Sequence, residues 1–397
     1  MRRIHRPTIA LADETHRVTP FEVFFDLVFV FAFTRVISFM ADEPTTLALV
    51  RGLLLLALLW WSWSAYTWLG NQARADVGVV RAGAIAAMAA VFVVALVVPD
   101  SFRHASGRLD GPLTLALAYL VVRVLYVCTY LFAAAGEPAL RRQLLRDAVT
   151  QTVASVPLLV GALLGGTPQL LLWTAVLVID WGGGQIVSRS GGGWRLRSPG
   201  YFAERHSLVF IIALGESIVS VEIGIGGAPI DAPILAATLL GFAMTVCLWL
   251  LYFESVAPVT RRQLELLHGA PRARLARDAH SLLHFPLIAG VIYVALGIEQ
   301  VLARLSDPVG ADPSAPLGWV ALVALYGGVA CYLCGQVGVG WRTVRAGSVV
   351  QLGGAGLALL LLPVARLLPP LAALGLITTL LAALALYGSV ATDRMPR

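Results

Sequence analysis

The sequence predicts an all-α polytopic membrane protein of about twelve transmembrane helices, built as two parallel six-helix repeats with both termini in the cytoplasm. Three observations predict it. The 397 residues are 58% hydrophobic and only 13% charged, and mean hydropathy is +0.81. Soluble domains run nearer about 45–50% apolar and about 25% charged, so the excess apolar surface has to face lipid. About twelve apolar runs approach or exceed the roughly 20 residues that a helix needs to cross the hydrocarbon core. The arginines, finally, alternate from one side of these runs to the other.

The runs fall near 20–40, 48–69, 79–99, 112–135, 147–165, 169–189, 205–225, 232–256, 279–302, 318–340, 347–367 and 370–391. Gly165-Gly166-Thr167-Pro168 separates the fifth from the sixth, and Pro369-Pro370 the last two. Every basic residue other than histidine is Arg, for there is no Lys. With the N-terminus inside, 22 arginines fall on cytoplasmic segments and 4 (Arg103, Arg108, Arg304, Arg366) on outside loops. That is the positive-inside pattern. The predicted organisation is a cytoplasmic segment 1–19, a first repeat 20–189, a Gly/Arg-rich connector 190–204, a second repeat 205–391 and a tail 392–397.

The repeat rests on matching order. Phe25-Asp26-Leu27-Val28-Phe29 lies against His206-Ser207-Leu208-Val209-Phe210, Trp60-Trp61 against Leu248-Trp249, and Val94–Pro99 against Val294–Glu299. Six spans are an even number, so both halves enter the membrane in the same direction, and transporters often place a site where such halves meet.

Several chemistries are excluded. Without lysine there is no retinal or pyridoxal Schiff base and no phosphate-loop lysine. No nucleotide fingerprint or serine-hydrolase elbow is present, so no cofactor is expected. The net charge of +6 flanks apolar runs and marks orientation, with no nucleic-acid partner implied. Cys331-x-x-Cys334 lies inside an apolar run and reads as packing. His280 and His284 have i, i+4 spacing but lack a third ligand at fixed spacing, so no metal is expected.

Polar groups at lipid depth are costly and mark sites. One expected cluster gathers near the inner ends of the spans. It contains Glu22 and Asp26 on one face of span 1, Arg81 at the start of span 3, Glu204, Arg205 and His206 at the start of span 7, Glu254 at the end of span 8, and His280 and His284, four apart on one face, at the start of span 9, with Arg81 and Arg205 as structural ion-pairing groups. A second is expected at mid-membrane. There Arg123 and Asp180 are a candidate brace, Arg35 aligns with Glu216, and Glu216, Ser217 and Thr34 outline a substrate or ion site. Trp60 and Trp61 lie deep enough to line a cavity.

Arg17-Val18-Thr19-Pro20-Phe21-Glu22-Val23-Phe24-Phe25-Asp26-Leu27-Val28-Phe29-Val30 resembles the opening signature of the bacterial low temperature requirement A family. The Trp60-to-Trp68 run with Asn71, Glu204-Arg205-His206, Leu214-Gly215-Glu216-Ser217-Ile218, Trp249–Glu254 and His284-Phe285-Pro286 are similar to that family too. The resemblance covers nearly the whole chain and implies a multi-pass bacterial inner-membrane protein; the family name records a growth phenotype. Arg17-x-x-x-Phe21 also resembles the Arg-x-x-x-Phe-Ser-Asp start of potassium channels built from two six-helix repeats, but Asp26 comes three residues later here and the second half has no equivalent.

The expected function is a secondary transporter or channel whose carboxylate and His groups handle an ion or small molecule. The alternatives are a membrane-embedded enzyme for a lipid-like, isoprenoid-type substrate, and a structural or signalling protein. Beyond the lipid bilayer, the partner is an unidentified small-molecule, ion or lipid-like ligand, and the oligomeric state is open.

Overall fold

The computed structural model describes residues 13–104, 109–189, 195–307, 315–345 and 347–393. The glycine run of the expected connector, at 191–193, and the last residues of the tail lie outside this set. Among the described residues the regular structure is helical, in order α1 (Pro20–Asp42), α2 (Thr46–Gln72), α3 (Gly78–Asp100, closing in a 3₁₀ turn), α4 (Gly111–Ala133), α5 (Pro138–Leu164), α6 (Gly166–Arg189), α7 (Pro199–Ile225), α8 (Ala232–Leu266), α9 (Gly269–Leu305), α10 (Trp319–Val344), α11 (Val349–Ala365) and α12 (Pro370–Asp393). Ten of these are long and apolar enough to cross a membrane. The other two are α6, which carries Asp180 and the Gly182–Gly184 run, and α11, an apolar helix of 17 residues. The chain is an integral membrane protein.

Several boundaries differ from the sequence reading. α5 begins at Pro138, so Arg141, Arg142 and Arg146 stand on its exposed first turns. α7 begins at Pro199 inside the expected connector, because Ser198 caps it: its hydroxyl accepts from the Tyr201 N–H at 3.2 Å, with Pro199 at the first helical position. α8, α9 and α10 each contain a π turn, at Tyr252–Val256, Ala276–Leu282 and Val323–Gly327. A π turn shifts backbone bonding to i→i+5 and marks functional positions often.

The fold divides into two compact units. The first is Met1–Phe39, Arg51–Arg205 and Leu267–Ala276. The second is Met40–Val50, His206–Leu266 and Arg277–Arg397. Within the first, Gly165 (φ +67°) makes the turn from α5 to α6, and Trp173 of α6 donates to the Leu158 carbonyl of α5 at 3.0 Å. Within the second, α9 and α10 touch backbone to backbone. A Cβ on Gly290 would lie 2.7 Å from the Gly328 carbonyl, a contact only small residues permit. The α8 π turn is anchored by α10, since Tyr332 donates to the Leu248 carbonyl at 2.8 Å and Gln336 to the Leu251 carbonyl at 2.9 Å.

Candidate functional site

In the first unit, α1 starts with a capping box. The Thr19 N–H and hydroxyl both donate to Glu22 Oε2 at 2.9 Å, and the Glu22 N–H points back to the Thr19 hydroxyl at 3.4 Å. This reciprocal pair fixes Glu22 and presents its other oxygen, Oε1, inward. One turn on, Asp26 occupies the same helix face, because residues four apart stack.

Arg205 of α7 fills the space between them. Its guanidinium bonds Asp26 Oδ1 and lies 3.3 Å from Glu22 Oε1. Tyr201, one turn earlier on α7, donates its hydroxyl to Glu22 Oε1 and accepts from Arg205 Nη1 at 3.2 Å. Trp63 of α2 donates its indole N–H to Asp26 Oδ1 at 2.7 Å. All five side chains are buried: Asp26 is 0% exposed, Glu22 1% and Arg205 2%. Gly70 of α2 is required here, for a Cβ at that position would overlap the Tyr201 hydroxyl.

Residues before α1 lie against the start of α7. The Ser198 hydroxyl donates to the carbonyls of Glu14 and His16, the Val18 N–H to Glu204 at 3.4 Å, and the His16 ring stacks on Tyr201 with centroids 4.8 Å apart. Asn71 ties the same segment to α2, donating to the Ser198 carbonyl at 2.6 Å and accepting from the Arg197 N–H at 2.8 Å. Nearby, outside the spans, hydrogen bonds from Arg74 hold the Asp76 carboxyl below its ordinary range.

Two buried carboxylates thus face one guanidinium. Asp26 Oδ2 accepts no hydrogen bond among the described residues, although it is fully buried. A buried ionised oxygen without a partner is expensive, so a carboxyl in this setting tends to hold a proton or a cation. A metal ion has no room between Asp26 and Glu22, because Arg205 stands there as the counter-charge. Among the described residues no group of three or more His, Cys, Asp or Glu side chains is arranged to hold a metal.

A second charged group in this unit joins α4 to α6. Arg123 makes a bidentate pair with Asp180, at 3.0 and 2.6 Å, and both side chains are buried. Trp61 of α2 lines a cleft beside Arg123, whereas Trp60 is buried against Trp63 with ring centroids 4.8 Å apart.

The second unit holds a different cluster. His206 of α7 and His280 and His284 of α9 converge, with ring centroids 4.8 to 5.3 Å apart and all three rings buried. His284 Nδ1 lies 2.7 Å from the Ala279 carbonyl, and its Nε2 lies 3.0 Å from the Tyr252 hydroxyl. A carbonyl can only accept, so Nδ1 carries the proton, and Nε2 shares a hydrogen bond with the Tyr252 hydroxyl, a group that can give or take one. Elsewhere in this unit Glu299 of α9 accepts from Ser220 of α7 at 3.3 Å.

Not every expected site residue joins these groups. Glu254 lies on the π turn of α8, where it is exposed while Tyr252 and Val256 point inward, so it is not part of the buried cluster. Arg81 is exposed, with its guanidinium 5.8 Å from the Phe21 ring centroid, a cation–π contact in place of the expected ion pair. Thr34 is half-buried and returns its hydroxyl to the Val30 carbonyl at 3.2 Å. Thr34 and Arg35 belong to the first unit, and the buried Glu216 and Ser217 to the second. Arg205, expected near the helix end, lies well inside because α7 begins six residues before it. Tyr201, Trp63, Thr19 and Glu299 are not among the site residues expected from the sequence; the Thr19-x-x-Glu22 spacing and Ser198-Pro199 are the signals that mark the starts of α1 and α7.

The family description Bacterial low temperature requirement A protein (LtrA) matches residues 17–386. The chain belongs to the LtrA family. The match begins at Arg17, just before the capping box, and takes in every residue of both clusters. An uncharacterized protein of Rhizobium meliloti (strain 1021) is 26% identical to the LtrA chain over 317 residues, covering 74% of this chain and 71% of that protein. No solved structure matches the chain. In this LtrA protein the stretch that carries the family signature, Arg17 to Val30, is also the stretch that supplies Glu22 and Asp26 to the Arg205 cluster.

Proposed function

We propose that this LtrA protein is a proton-linked secondary transporter or channel of the bacterial inner membrane, with Asp26 and Glu22 as its proton-holding carboxylates. The observation that carries the reading is the charge count at Arg205: two buried carboxylates, one guanidinium, and an Asp26 oxygen with no donor among the described residues. Fully ionised, that group would place one uncompensated negative charge in a medium of low dielectric, where it costs several kcal/mol by the usual order of magnitude. A proton on the pair removes the cost. Its uptake and release would also change how tightly α1 and α7 are held together, since Arg205 and Tyr201 bind both carboxylates. The topology that goes with this reading is about twelve spans in two parallel six-helix halves with both termini cytoplasmic, supported by the arginine distribution.

Transport is favoured over an enzyme for a lipid-like substrate by the space available. The cleft beside Glu22 and Arg205 has a cavity volume of about 10 Å³, room for about one water molecule, which suits water-sized groups better than an isoprenoid chain. The test is proton flux in proteoliposomes, read from a trapped pH-sensitive dye under a potassium diffusion potential. The wild-type protein is expected to carry a flux above that of protein-free vesicles, and Asp26→Asn to lose most of it. Equal flux with wild type and with Asp26→Asn overturns the reading.

A further inference from the structure

The first unit contains two clefts, and one side chain forms a wall of both. The first lies beside Glu22, Arg205 and Gly70. The second, with a cavity volume of about 20 Å³, lies beside Arg123, Tyr119, Tyr126 and Gln151. Tyr66 of α2 lines each of them. It is buried, its ring 5.1 Å from Phe25 on one side and 5.7 Å from Tyr126 on the other. Its hydroxyl donates to the Val122 carbonyl of α4 at 3.1 Å, which pins the ring across the boundary between the clefts.

The second cleft also borders a buried ion pair. Arg123 is paired with Asp180, and Asp147 of α5 lies close enough to feel the charge of both without a bond to either. Asp147 is reached from the cleft through Gln151, whose amide donates to Asp147 Oδ2 at 2.7 Å. Here one guanidinium is paired with one carboxylate, and a second carboxylate, Asp147, stands within electrostatic reach of both. Arg123 Nε, on a side chain more than nine-tenths buried, has no acceptor among the described residues.

We propose that the two clefts are consecutive stations of one proton route inside the first unit, gated by Tyr66, with Asp147 and Asp180 as the second acceptor. This rests on the reading of Asp26 and Glu22 as proton-holding groups. The chemistry is proton transfer alone. The O–H bond of the protonated carboxyl at the first station breaks, a water takes the proton as hydronium, and an O–H bond forms at the Asp147–Asp180 pair, with no electron changing hands. Arg205 compensates the carboxylate left behind, and Arg123 stands beside the one being protonated. The groups that face the route are Glu22, Asp26, Tyr201 and Arg205 at the first station, Arg123, Asp147, Asp180, Tyr119 and Tyr126 at the second, and Cys128 near Tyr66. For the proton to pass, the Tyr66 ring has to turn, and its bond to Val122 opposes that.

The test uses the full-length protein in proteoliposomes with the trapped pH dye. Tyr66→Phe keeps the ring and loses only the bond to Val122, so flux is expected to rise about fivefold, the rate equivalent of one ordinary hydrogen bond. Tyr66→Ala joins the clefts and is expected to raise it further. Asp147→Asn in the Tyr66→Phe background is expected to bring flux back to the wild-type level or below. Unchanged flux in a folded Tyr66→Phe protein, with Asp26→Asn still inactive, overturns the route while leaving the Asp26 reading intact. Wild-type flux in Asp26→Asn removes the underlying reading itself.

Discussion

The two units solve the problem of polar groups inside a membrane in opposite ways. The first buries full charges and compensates them, as Arg205 does for Glu22 and Asp26 and Arg123 does for Asp180. The second buries His206, His280 and His284 together, apart from its buried carboxylates Glu216 and Glu299, and His284 is held between a carbonyl and a tyrosine hydroxyl. The difference teaches where chemistry can be stored. A compensated charge group has an odd proton to gain or lose. A packed set of imidazole rings resists gaining several protons, because each added charge would face the others at about 5 Å.

The largest expected effect comes from breaking the compensation. Arg205→Gln leaves two buried carboxylates with no cation and is expected to cost about 3–5 kcal/mol, read as a lost or strongly lowered unfolding transition in detergent. Asp26→Asn, which removes the surplus charge, is expected to cost far less; if both variants lose the same stability, the charge count is wrong. Next comes Gly70→Ala, which drives a methyl into the Tyr201 hydroxyl and is expected to cost about 1–3 kcal/mol in the same measurement. On the other side of the comparison, His284→Ala strands the Tyr252 hydroxyl and the Ala279 carbonyl, at about 1–3 kcal/mol. That loss is expected to be the same at pH 6 and pH 8; a strong pH dependence would show that the His cluster also stores protons.

The smallest effect concerns Asp76. Its folded pKa lies below the ordinary value, so its stabilising contribution is complete above the ordinary carboxylate range and fades as pH falls through the folded value. The pair with Arg74 is partly exposed, so Asp76→Asn is expected to flatten the acid limb of a stability curve by less than about 1 kcal/mol.

Much of the fold was legible because hydropathy depends only on composition along the chain. The runs at 20–40, 48–69 and 112–135 sit inside α1, α2 and, but for its end, α4. What composition does not encode is how one helix meets another. The π turns depend on partners on other elements, as where Tyr332 and Gln336 meet the Leu248 and Leu251 carbonyls, so nothing in the local sequence of α8 announced them. Glu254 was misplaced for that reason. The candidate site was half legible. Glu22 and Asp26 stood out as charges four apart in an apolar run. Their partner Tyr201 did not, because it follows a glycine-rich stretch that reads as a connector. Trp63 was hidden among neighbouring aromatics: its indole finds Asp26 only once α1 and α2 are packed.

The central claim is that a proton resides on the carboxylates beside Arg205. Infrared difference spectroscopy of the purified protein at neutral pH tests it most directly, with Asp26→Asn as the reference. The account predicts a carboxylic-acid C=O band in the wild type that disappears in Asp26→Asn and shifts in Glu22→Gln. A wild-type spectrum in which no carboxylic-acid band depends on either residue would contradict it.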